Sequence, residues 1–216
     1  MEEVLITFNQ AKVEFSQFCM KPVTMQLPAG YIIGIEGKNG AGKTTLINMM
    51  LGRYAKMNGN IVIDGYDVIK DREKMLAEVG FISEERVFYQ EYNVLENEKF
   101  FMDFYPNWDS ERYRKMLNQL NVSTKTKTGD LSKGNRIKFQ MAFVYAYMPK
   151  LIIMDEPTGG LDPVFRLDFV KWMQNMVAEY GTTIILSTHL QEELEKITDY
   201  LIHVADGECT LEEVLR

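Results

Sequence analysis

Gly37-Lys38-Asn39-Gly40-Ala41-Gly42-Lys43-Thr44-Thr45 is the stretch that decides the fold of this chain. Its spacing is G-x-x-x-x-G-K-[ST], in which glycines let the backbone turn its N–H groups toward a polyphosphate. Residues 31–35 before it are short and apolar, like a buried parallel strand, and residues 46–51 after it place apolar side chains on one helical face. Strand, glycine-rich loop and helix together predict a phosphate-binding P-loop, and the helix N-terminus adds partial positive charge.

Two side chains of this loop carry most of the expected chemistry. Lys43 is placed to reach the β- and γ-phosphates of a nucleotide, and the Thr44 hydroxyl is placed to ligate Mg²⁺. The alternative is a glycine-rich turn that matches the motif by chance. The strand before it and the helix after it weigh against that alternative.

Composition limits the classes of protein to consider. A net charge of −7 does not suggest a nucleic-acid partner. Cys19 and Cys209 lie far apart without metal-ligand spacing, so they are interpreted as reduced thiols in a cytosolic protein. No apolar run approaches the roughly 20 residues that span a bilayer, and the first residues do not resemble a signal peptide. We therefore expect a soluble protein whose membrane role, if any, comes through a partner.

The first half of the chain predicts three kinds of structure. Residues 3–35 alternate in short pieces, which indicates a small antiparallel region, and residues 61–63 and 79–82 are strand candidates. Residues 84–130 show no obvious strand and predict a helical insertion with helices over 94–105 and 111–120. We expect about two-thirds of its aromatic residues to form local core and the rest to face a partner. These residues are Phe88, Tyr89, Tyr92, Phe100, Phe101, Phe104, Tyr105 and Trp108.

The second half predicts alternating helices and buried strands. Residues 137–148 are apolar almost all round, as in a buried helix, and 151–154 form an apolar strand. A helix from Asp162-Pro163 to Gly181 has an N-cap, a proline at its first position and a glycine stop. A strand over 182–186 and a helix over 190–197 follow. The fold class is therefore α/β: a P-loop NTPase with a mostly parallel core sheet, an N-terminal antiparallel β region and a helical insertion.

Asp155 and Glu156 follow the apolar strand and form the second candidate site feature. In an open parallel sheet, ligands bind beyond the carboxyl ends of the strands. One carboxylate there can hold Mg²⁺ and its water shell, and the next can polarise an attacking water. The alternative is an acidic strand end before the turn-forming Pro157, which does not explain its pairing with a P-loop.

Two further features are weak when taken alone. Residues 131–135, Leu-Ser-Lys-Gly-Asn, open the buried helix, and Ser132 fits an ordinary helix cap. His189 follows the strand over 182–186, where a lone histidine is more often structural than functional. Its position beyond a core strand's carboxyl end favours a site role somewhat more.

In this order and spacing, the segments resemble the ATPase subunits of ABC transporters over essentially the whole chain. Residues 37–45 match Walker A, and Leu151–Asp155 match Walker B, with Glu156 as the catalytic glutamate. Residues 131–135 match the signature loop that the family usually writes LSGGQ. Gly160 to Asp162 match the D-loop, and His189 matches the switch histidine.

The resemblance implies one ABC ATPase domain over 1–216, with a RecA-like core over about 1–83 and 149–216 and a helical subdomain over about 84–148. It also implies that two subunits pack head to tail and trap two ATP molecules. Ser132 and the backbone at Gly134 would then touch the γ-phosphate across the dimer. Glu156 would act as general base, His189 would steady the γ-phosphate, and Asp162 would link the two sites.

The sequence departs from the family pattern at three places. Lys133 and Asn135 replace Gly and Gln of the signature, and Lys133 suggests a cation near the second subunit's nucleotide. Glu84 stands where the family has the Q-loop glutamine; it can ligate Mg²⁺ but cannot donate a hydrogen bond as an amide does. Phe15 fits the aromatic residue that stacks on adenine by its spacing, and Phe18 is the second choice.

Glu84, the Ser-Lys-Gly signature and the segment 105–109 resemble compact bacterial exporter ATPases linked to antimicrobial peptides and antibiotics. This implies an ATP- and Mg²⁺-dependent subunit on the inner face of the cell membrane that powers export by a permease. The permease would contact residues 84–108, and a homodimer is the simpler expectation. The alternatives are a soluble ABC-type ATPase that assembles or remodels something, and a small-molecule P-loop kinase. Glu156, His189 and the signature loop argue against the kinase.

Overall fold

The computed structural model describes residues 3–85, 87–159, 161–188 and 196–214. The strands are β1 (Val4–Glu14), β2 (Cys19–Pro28), β3 (Ile32–Glu36), β4 (Asn58–Ile63), β5 (Tyr66–Asp67), β6 (Val79–Ser83), β7 (Leu151–Asp155), β8 (Thr183–Ser187), β9 (Tyr200–Ala205) and β10 (Glu208–Glu213). The helices are α1 (Lys43–Met50), α2 (Arg72–Ala77), α3 (Val94–Phe101), α4 (Ser110–Gln119), α5 (Lys133–Tyr147) and α6 (Pro163–Tyr180). Short 3₁₀ turns cover Met102–Phe104 and Thr128–Asp130.

Two sheets organise these elements. The first has the order β2-β1-β4-β5 and is antiparallel throughout. The second has the order β10-β9-β3-β8-β7-β6, in which every neighbouring pair is parallel except β10 with β9. The predicted α/β fold, with a mostly parallel core sheet and an N-terminal antiparallel region, is confirmed.

The register of the second sheet brings the candidate site residues to one edge. Ile35 near the end of β3 pairs with Ser187 at the end of β8, and Ser187 pairs with Asp155 at the end of β7. The P-loop leaves β3 and Glu156 leaves β7, so only one strand separates them. Because the strands are parallel, both segments leave the sheet at the same end, the carboxyl ends of the strands.

The core covers both faces of the parallel sheet, which explains why its strands are continuous apolar runs. In β7, Ile152 and Met154 pack with the helices α5 and α6. Leu151 and Ile153, which point the other way, pack with α1 and the antiparallel sheet. This sandwich holds the carboxyl ends of the strands in fixed positions beneath the site.

The insertion is helical where the structure describes it, as predicted, although its first helix is shorter than expected. α3 starts with a capping box: the Asn93 side chain accepts from the backbone of Glu96, whose carboxylate accepts from Asn93 N at 2.8 Å. Regular α-helix ends at Phe101 instead of reaching Tyr105. Tyr105 is extended, with φ −116° and ψ 103°, because the next residue, Pro106, disfavours helix before it.

The eight aromatic residues between positions 88 and 108 divide evenly between core and surface. Phe88, Phe101, Tyr105 and Trp108 pack against Phe143 of α5. Tyr89, Tyr92, Phe100 and Phe104 are exposed. The expected share of two-thirds in the core was therefore too high for these eight residues, because Tyr89, Tyr92 and Phe100 pack on one another at the surface instead of on α5. We call these four exposed residues the aromatic patch.

Some elements were not predicted from the sequence. β9 and β10 complete the parallel sheet beside β3 and form its outer edge, and α2 lies before β6. Most of the helix expected over 190–197 lies outside the described residues. Within the described ranges, no helix combines the length and the apolar character required to cross a membrane.

Candidate nucleotide-binding site

The P-loop backbone adopts conformations that require glycine at two positions. Gly37 has φ 152°, and a Cβ there would lie 2.2 Å from the carbonyl O of Val204 on β9. Gly42 has φ 117° and caps α1, and a Cβ there would lie 2.7 Å from the ring of Phe18. The loop is therefore packed between β9 and the β1–β2 loop, which fixes its curvature.

Lys43 is the charged centre of the loop. It is only 6% exposed, and its Nζ donates to the carbonyl O of Gly37 at 2.8 Å and, more weakly, to that of Lys38 at 3.4 Å. The ammonium group is therefore folded back over the loop at the N-terminal end of α1. Both the charge and the helix N-terminus favour an anion at this place.

A cavity of about 530 Å³ opens beside these residues, and we call it the P-loop cavity. Its volume lies in the range of small-molecule and cofactor sites. Its lining residues come from the P-loop with α1, from the β1–β2 loop and from the end of β7. They are Gln17, Phe18, Asn39, Gly40, Gly42, Lys43, Thr44, Thr45 and Glu156. The cavity thus combines the predicted phosphate loop with the predicted general base.

A buried serine of β8 holds the two carboxylate residues at the end of β7. Ser187 Oγ donates to Asp155 Oδ1 at 2.6 Å, and the backbone N of Glu156 donates to Ser187 O at 3.1 Å and to Ser187 Oγ at 3.2 Å. Glu156 has φ 51°, a left-handed conformation that costs a non-glycine residue about 1–2 kcal/mol. The bonds to Ser187 support this turn, which places Glu156 in the lining of the P-loop cavity.

Sequence reasoning did not identify Ser187. A serine at the end of an apolar strand has no distinctive pattern, and its role depends on the register between β7 and β8. The only available signal was its place at a strand's carboxyl end, one strand away from the P-loop.

The two aromatic candidates lie in different surroundings. Phe15 is 43% exposed and packs edge-on against Tyr54, with ring centroids 5.2 Å apart. Phe18 lines the P-loop cavity beside Gly42. Phe18, the second choice by spacing, is therefore the aromatic residue that the fold brings to the site.

The other predicted binding residues cluster away from the P-loop cavity. Ser132 caps α5 by accepting from Asn135 N at 3.3 Å, and Asp162 caps α6 by accepting from Phe165 N at 2.9 Å. A Cβ at Gly134 would lie 3.8 Å from Leu161, the residue before Asp162. The starts of α5 and α6 thus lie together, and none of these residues lines the P-loop cavity.

Three predicted residues need separate mention. Glu84 forms an ion pair with Lys133 at the start of α5 and does not belong to the lining of the P-loop cavity. His189, the expected switch histidine, and Gly160 of the expected D-loop lie outside the described residues.

A histidine and two glutamates lie behind the P-loop. His203 Nδ1 is 2.5 Å from Glu36 Oε1, and His203 Nε2 is 2.8 Å from Glu212 Oε2. A second cavity of about 530 Å³ is lined by Glu36, His203 and the P-loop residues Gly37, Lys38 and Ala41, among others. Burial lowers the pKa of His203, but the hydrogen bonds to Glu212 and Glu36 outweigh it, so the pKa lies above its ordinary value.

We expect the free energy of unfolding to depend on the charge of His203. A raised pKa means that the folded state holds the proton more tightly, so this stabilisation is complete below about pH 6.5 and is lost as pH rises through the folded-state pKa. His203→Gln should flatten the change in denaturation midpoint between pH 6 and pH 9, measured with urea. In Glu212→Gln, the pH at which the denaturation midpoint falls should be lower than in wild type. A pH profile identical in His203→Gln and wild type would contradict this assignment.

Comparison with known proteins identifies the family of this chain. The family model described as ABC transporter matches residues 20–159. The chain belongs to the ABC transporter family. The expected recognition of an ABC transporter ATP-binding domain is thereby confirmed.

Two relatives illustrate the match. The uncharacterized ABC transporter ATP-binding protein YdbJ of Bacillus subtilis (strain 168) is 33% identical, over 93% of this chain and 66% of YdbJ. The bacitracin transport ATP-binding protein BcrA of Bacillus licheniformis is 29% identical, over 99% of this chain and 70% of BcrA. This ABC-family chain therefore spans about two-thirds of the length of these relatives.

A solved structure supports the fold of the ABC-family domain. The dimeric structure of the ATP-binding cassette MJ0796 in a post-hydrolysis state, bound to ADP and Pi, superposes with a TM-score of 0.83. The match covers 98% of this chain and all of that chain at 20% identity. It shows that the two chains share the fold.

Proposed function

We propose that this chain binds ATP with Mg²⁺ and hydrolyses it to power export of a substrate by a membrane permease. The observation that carries the proposal is the P-loop cavity, which residues of the P-loop and Glu156 line together. A phosphate loop alone would suit many nucleotide-binding proteins. A carboxylate in the same cavity provides a base for an attacking water.

The P-loop provides the phosphate site. Its backbone N–H groups and the N-terminus of α1 surround the polyphosphate, and Lys43 exchanges its bonds to the loop carbonyls for the β- and γ-phosphates. Asn39, Thr44 and Thr45 add polar contacts from the cavity wall. Catalysis then consists of positioning and charge neutralisation, as is usual in phosphoryl transfer.

The oxygen ligands near the P-loop fit Mg²⁺, which is usually held by only one or two protein carboxylates together with water and phosphate oxygens. We propose that the Thr44 hydroxyl and the Asp155 carboxylate hold the ion, the latter oriented by Ser187. Bound Mg²⁺ supplies neutralisation of charge on the transferred phosphoryl group. The carboxylate of Glu84, also suggested from the sequence, is instead paired with the Lys133 ammonium, so we do not include Glu84 among the metal residues.

We propose a head-to-tail dimer of this chain, since MJ0796, which shares the fold, is dimeric in its solved structure. The starts of α5 and α6, which lie away from the chain's own cavity, would face the second subunit's nucleotide. There Ser132 and the Gly134 backbone would contact the γ-phosphate, His189 would steady it on its own side, and Asp162 would link the two sites. ATP binding would close the dimer and hydrolysis would reopen it.

The position of Phe18 predicts which aromatic residue stacks on adenine. Phe18→Ala should weaken ATP affinity about tenfold, because stacking of a base on an aromatic ring is worth about 1–3 kcal/mol. Phe15→Ala is the matched control, since Phe15 packs on Tyr54 outside the cavity lining, and it should change affinity little. Titration with a fluorescent ATP analogue measures both variants. The reverse order of effects would restore Phe15 as the stacking residue.

The aromatic patch supports the permease part of the proposal. Its four side chains are 42–69% exposed on the helical insertion, and exposed aromatic clusters are typical of interfaces. BcrA, which matches 99% of this chain, is named for bacitracin transport. We therefore propose export of a peptide or an antibiotic by a permease bound over residues 84–108, with this subunit on the inner face of the cell membrane.

Affinity purification of the tagged chain from detergent-solubilised native membranes tests this role. We expect a polytopic membrane protein in stoichiometric amount, and its loss in the double variant Tyr89→Ser/Phe100→Ser. Tyr180→Ser, at an exposed aromatic residue outside the patch, is the matched control and should retain the partner. A stoichiometric soluble partner, or none, would instead indicate an ATPase that assembles or remodels something.

A further inference from the structure

An ion pair joins two segments that depart from the family pattern. Glu84 Oε1 contacts Lys133 Nζ, and the two side chains are 45% and 33% exposed. The family has a glutamine at the first position and a glycine at the second, so the two departures carry opposite charges. Together they leave the local net charge as it would be in the usual pattern.

A second contact holds the same two segments together. Gln140 is 3% exposed; its Oε1 accepts from Ser83 N at 2.9 Å and its Nε2 donates to Ser83 O at 2.9 Å. Lys133 and Gln140 are seven residues apart on α5, so they lie on one helical face. The end of β6 is therefore fixed to α5 at two points, one buried and neutral, the other half-buried and charged.

The pair also rests on the loop that follows the general base. A Cβ at Gly159 would lie 2.8 Å from Glu84 Oε1 and 3.3 Å from Lys133 Nζ. Gly159 is three residues after Glu156. The backbone after the base, the end of β6 and the start of α5 therefore meet at this pair.

We propose that Lys133 is a positioning residue that acts through Glu84. The pair fixes the first turn of α5, which carries Ser132 and Gly134, against the loop that begins at Glu156, and so sets the surface that this chain presents to a second subunit. Without Lys133, the Glu84 carboxylate stands uncompensated against that loop. The inference rests on the proposed two-subunit ATPase.

The proposal differs from a direct role of Lys133 as a cation on the second subunit's nucleotide. A direct cation would matter equally whether residue 84 is charged or neutral. A positioning residue that acts through Glu84 loses its effect when residue 84 is a glutamine. The two roles are thus separated by a double-mutant cycle.

The cycle compares wild type, Lys133→Ala, Glu84→Gln and the double variant. For each, ATP hydrolysis is measured against protein concentration, and ADP affinity is measured by calorimetry. We expect Lys133→Ala to raise the protein concentration for half-maximal hydrolysis about fivefold, the effect of a half-exposed ion pair. In the Glu84→Gln background the same change should stay within about twofold. ADP affinity should stay constant in all four, because neither Glu84 nor Lys133 lines the P-loop cavity.

Lys127→Ala is the matched control. Lys127 is an exposed lysine in the helical insertion, paired with Glu91 at 3.2 Å. Its removal deletes one surface cation and one ion pair and should leave the half-maximal concentration unchanged. Thermal unfolding of all variants is measured in parallel. A pair that only stabilises the fold would lower the melting temperature without moving the half-maximal concentration, and that result overturns the proposal.

The remaining outcomes are also decisive. Equal losses from Lys133→Ala in both backgrounds identify a direct cation and overturn the positioning role. No loss in either background overturns it as well. Wild-type hydrolysis that does not depend on protein concentration would overturn the two-subunit function itself, and this inference with it.

Discussion

Glu156→Gln should retain ATP binding and lose nearly all ATP hydrolysis. Glu156 lines the P-loop cavity, and its backbone N donates to Ser187 on β8. The amide keeps the shape of the carboxylate but cannot accept the proton of an attacking water, and a general base is worth about 10²–10⁴-fold in rate. Release of phosphate under saturating ATP measures the loss.

Because binding survives, ATP should hold Glu156→Gln as a closed dimer, visible by size-exclusion chromatography with ATP and absent with ADP. Glu85→Gln is the matched control, since Glu85 is a nearby surface carboxylate paired with Arg53 at 3.3 Å. It should hydrolyse ATP at the wild-type rate. Wild-type turnover by Glu156→Gln would remove Glu156 from the role of base.

Lys43→Ala should lose nucleotide binding. Lys43 is 6% exposed and provides the buried positive charge of the loop. Truncating one partner of a buried, hydrogen-bonded charge pair costs about 2–5 kcal/mol, so ATP affinity should fall at least about 30-fold. Calorimetric titration with ATP and Mg²⁺ measures the change.

A matched lysine separates charge from fold. Lys150→Ala removes a lysine that directly precedes β7, at the opposite end of the strand from Asp155, and that pairs with Asp64 at 2.7 Å. This variant should bind ATP normally. Circular dichroism should show that Lys43→Ala keeps the native helix and strand content. Retained affinity in a folded Lys43→Ala would contradict the assignment of the phosphate site.

The sequence predicted the elements whose signals are local. The P-loop, the strand before Asp155 and the helix that begins after Asp162 follow from residue spacing, apolar runs and capping residues. β9 was not predicted. Residues 200–204 form a short, mostly apolar run, but no motif marks this run as a strand. The elements that build the floor of the site were thus largely predictable.

The contacts that complete the site depend on tertiary structure. Ser187 reaches Asp155 and Glu156 only because of the register between β7 and β8. Phe18 replaces Phe15 at the cavity because of the course of the β1–β2 loop, which spacing does not determine. Glu84 and Lys133 are 49 positions apart in the sequence, and no pattern in either segment indicates their contact.

The left-handed backbone of Glu156 has a consequence for the evolution of this chain. At φ 51°, glycine or asparagine would have a lower conformational energy than glutamate. The residue best suited to the reaction is therefore not the one best suited to the turn. At this position, thermal stability and the rate of ATP hydrolysis therefore favour different residues. Exchanging Glu156 for glycine or asparagine would therefore give up the base for hydrolysis in return for a less strained turn.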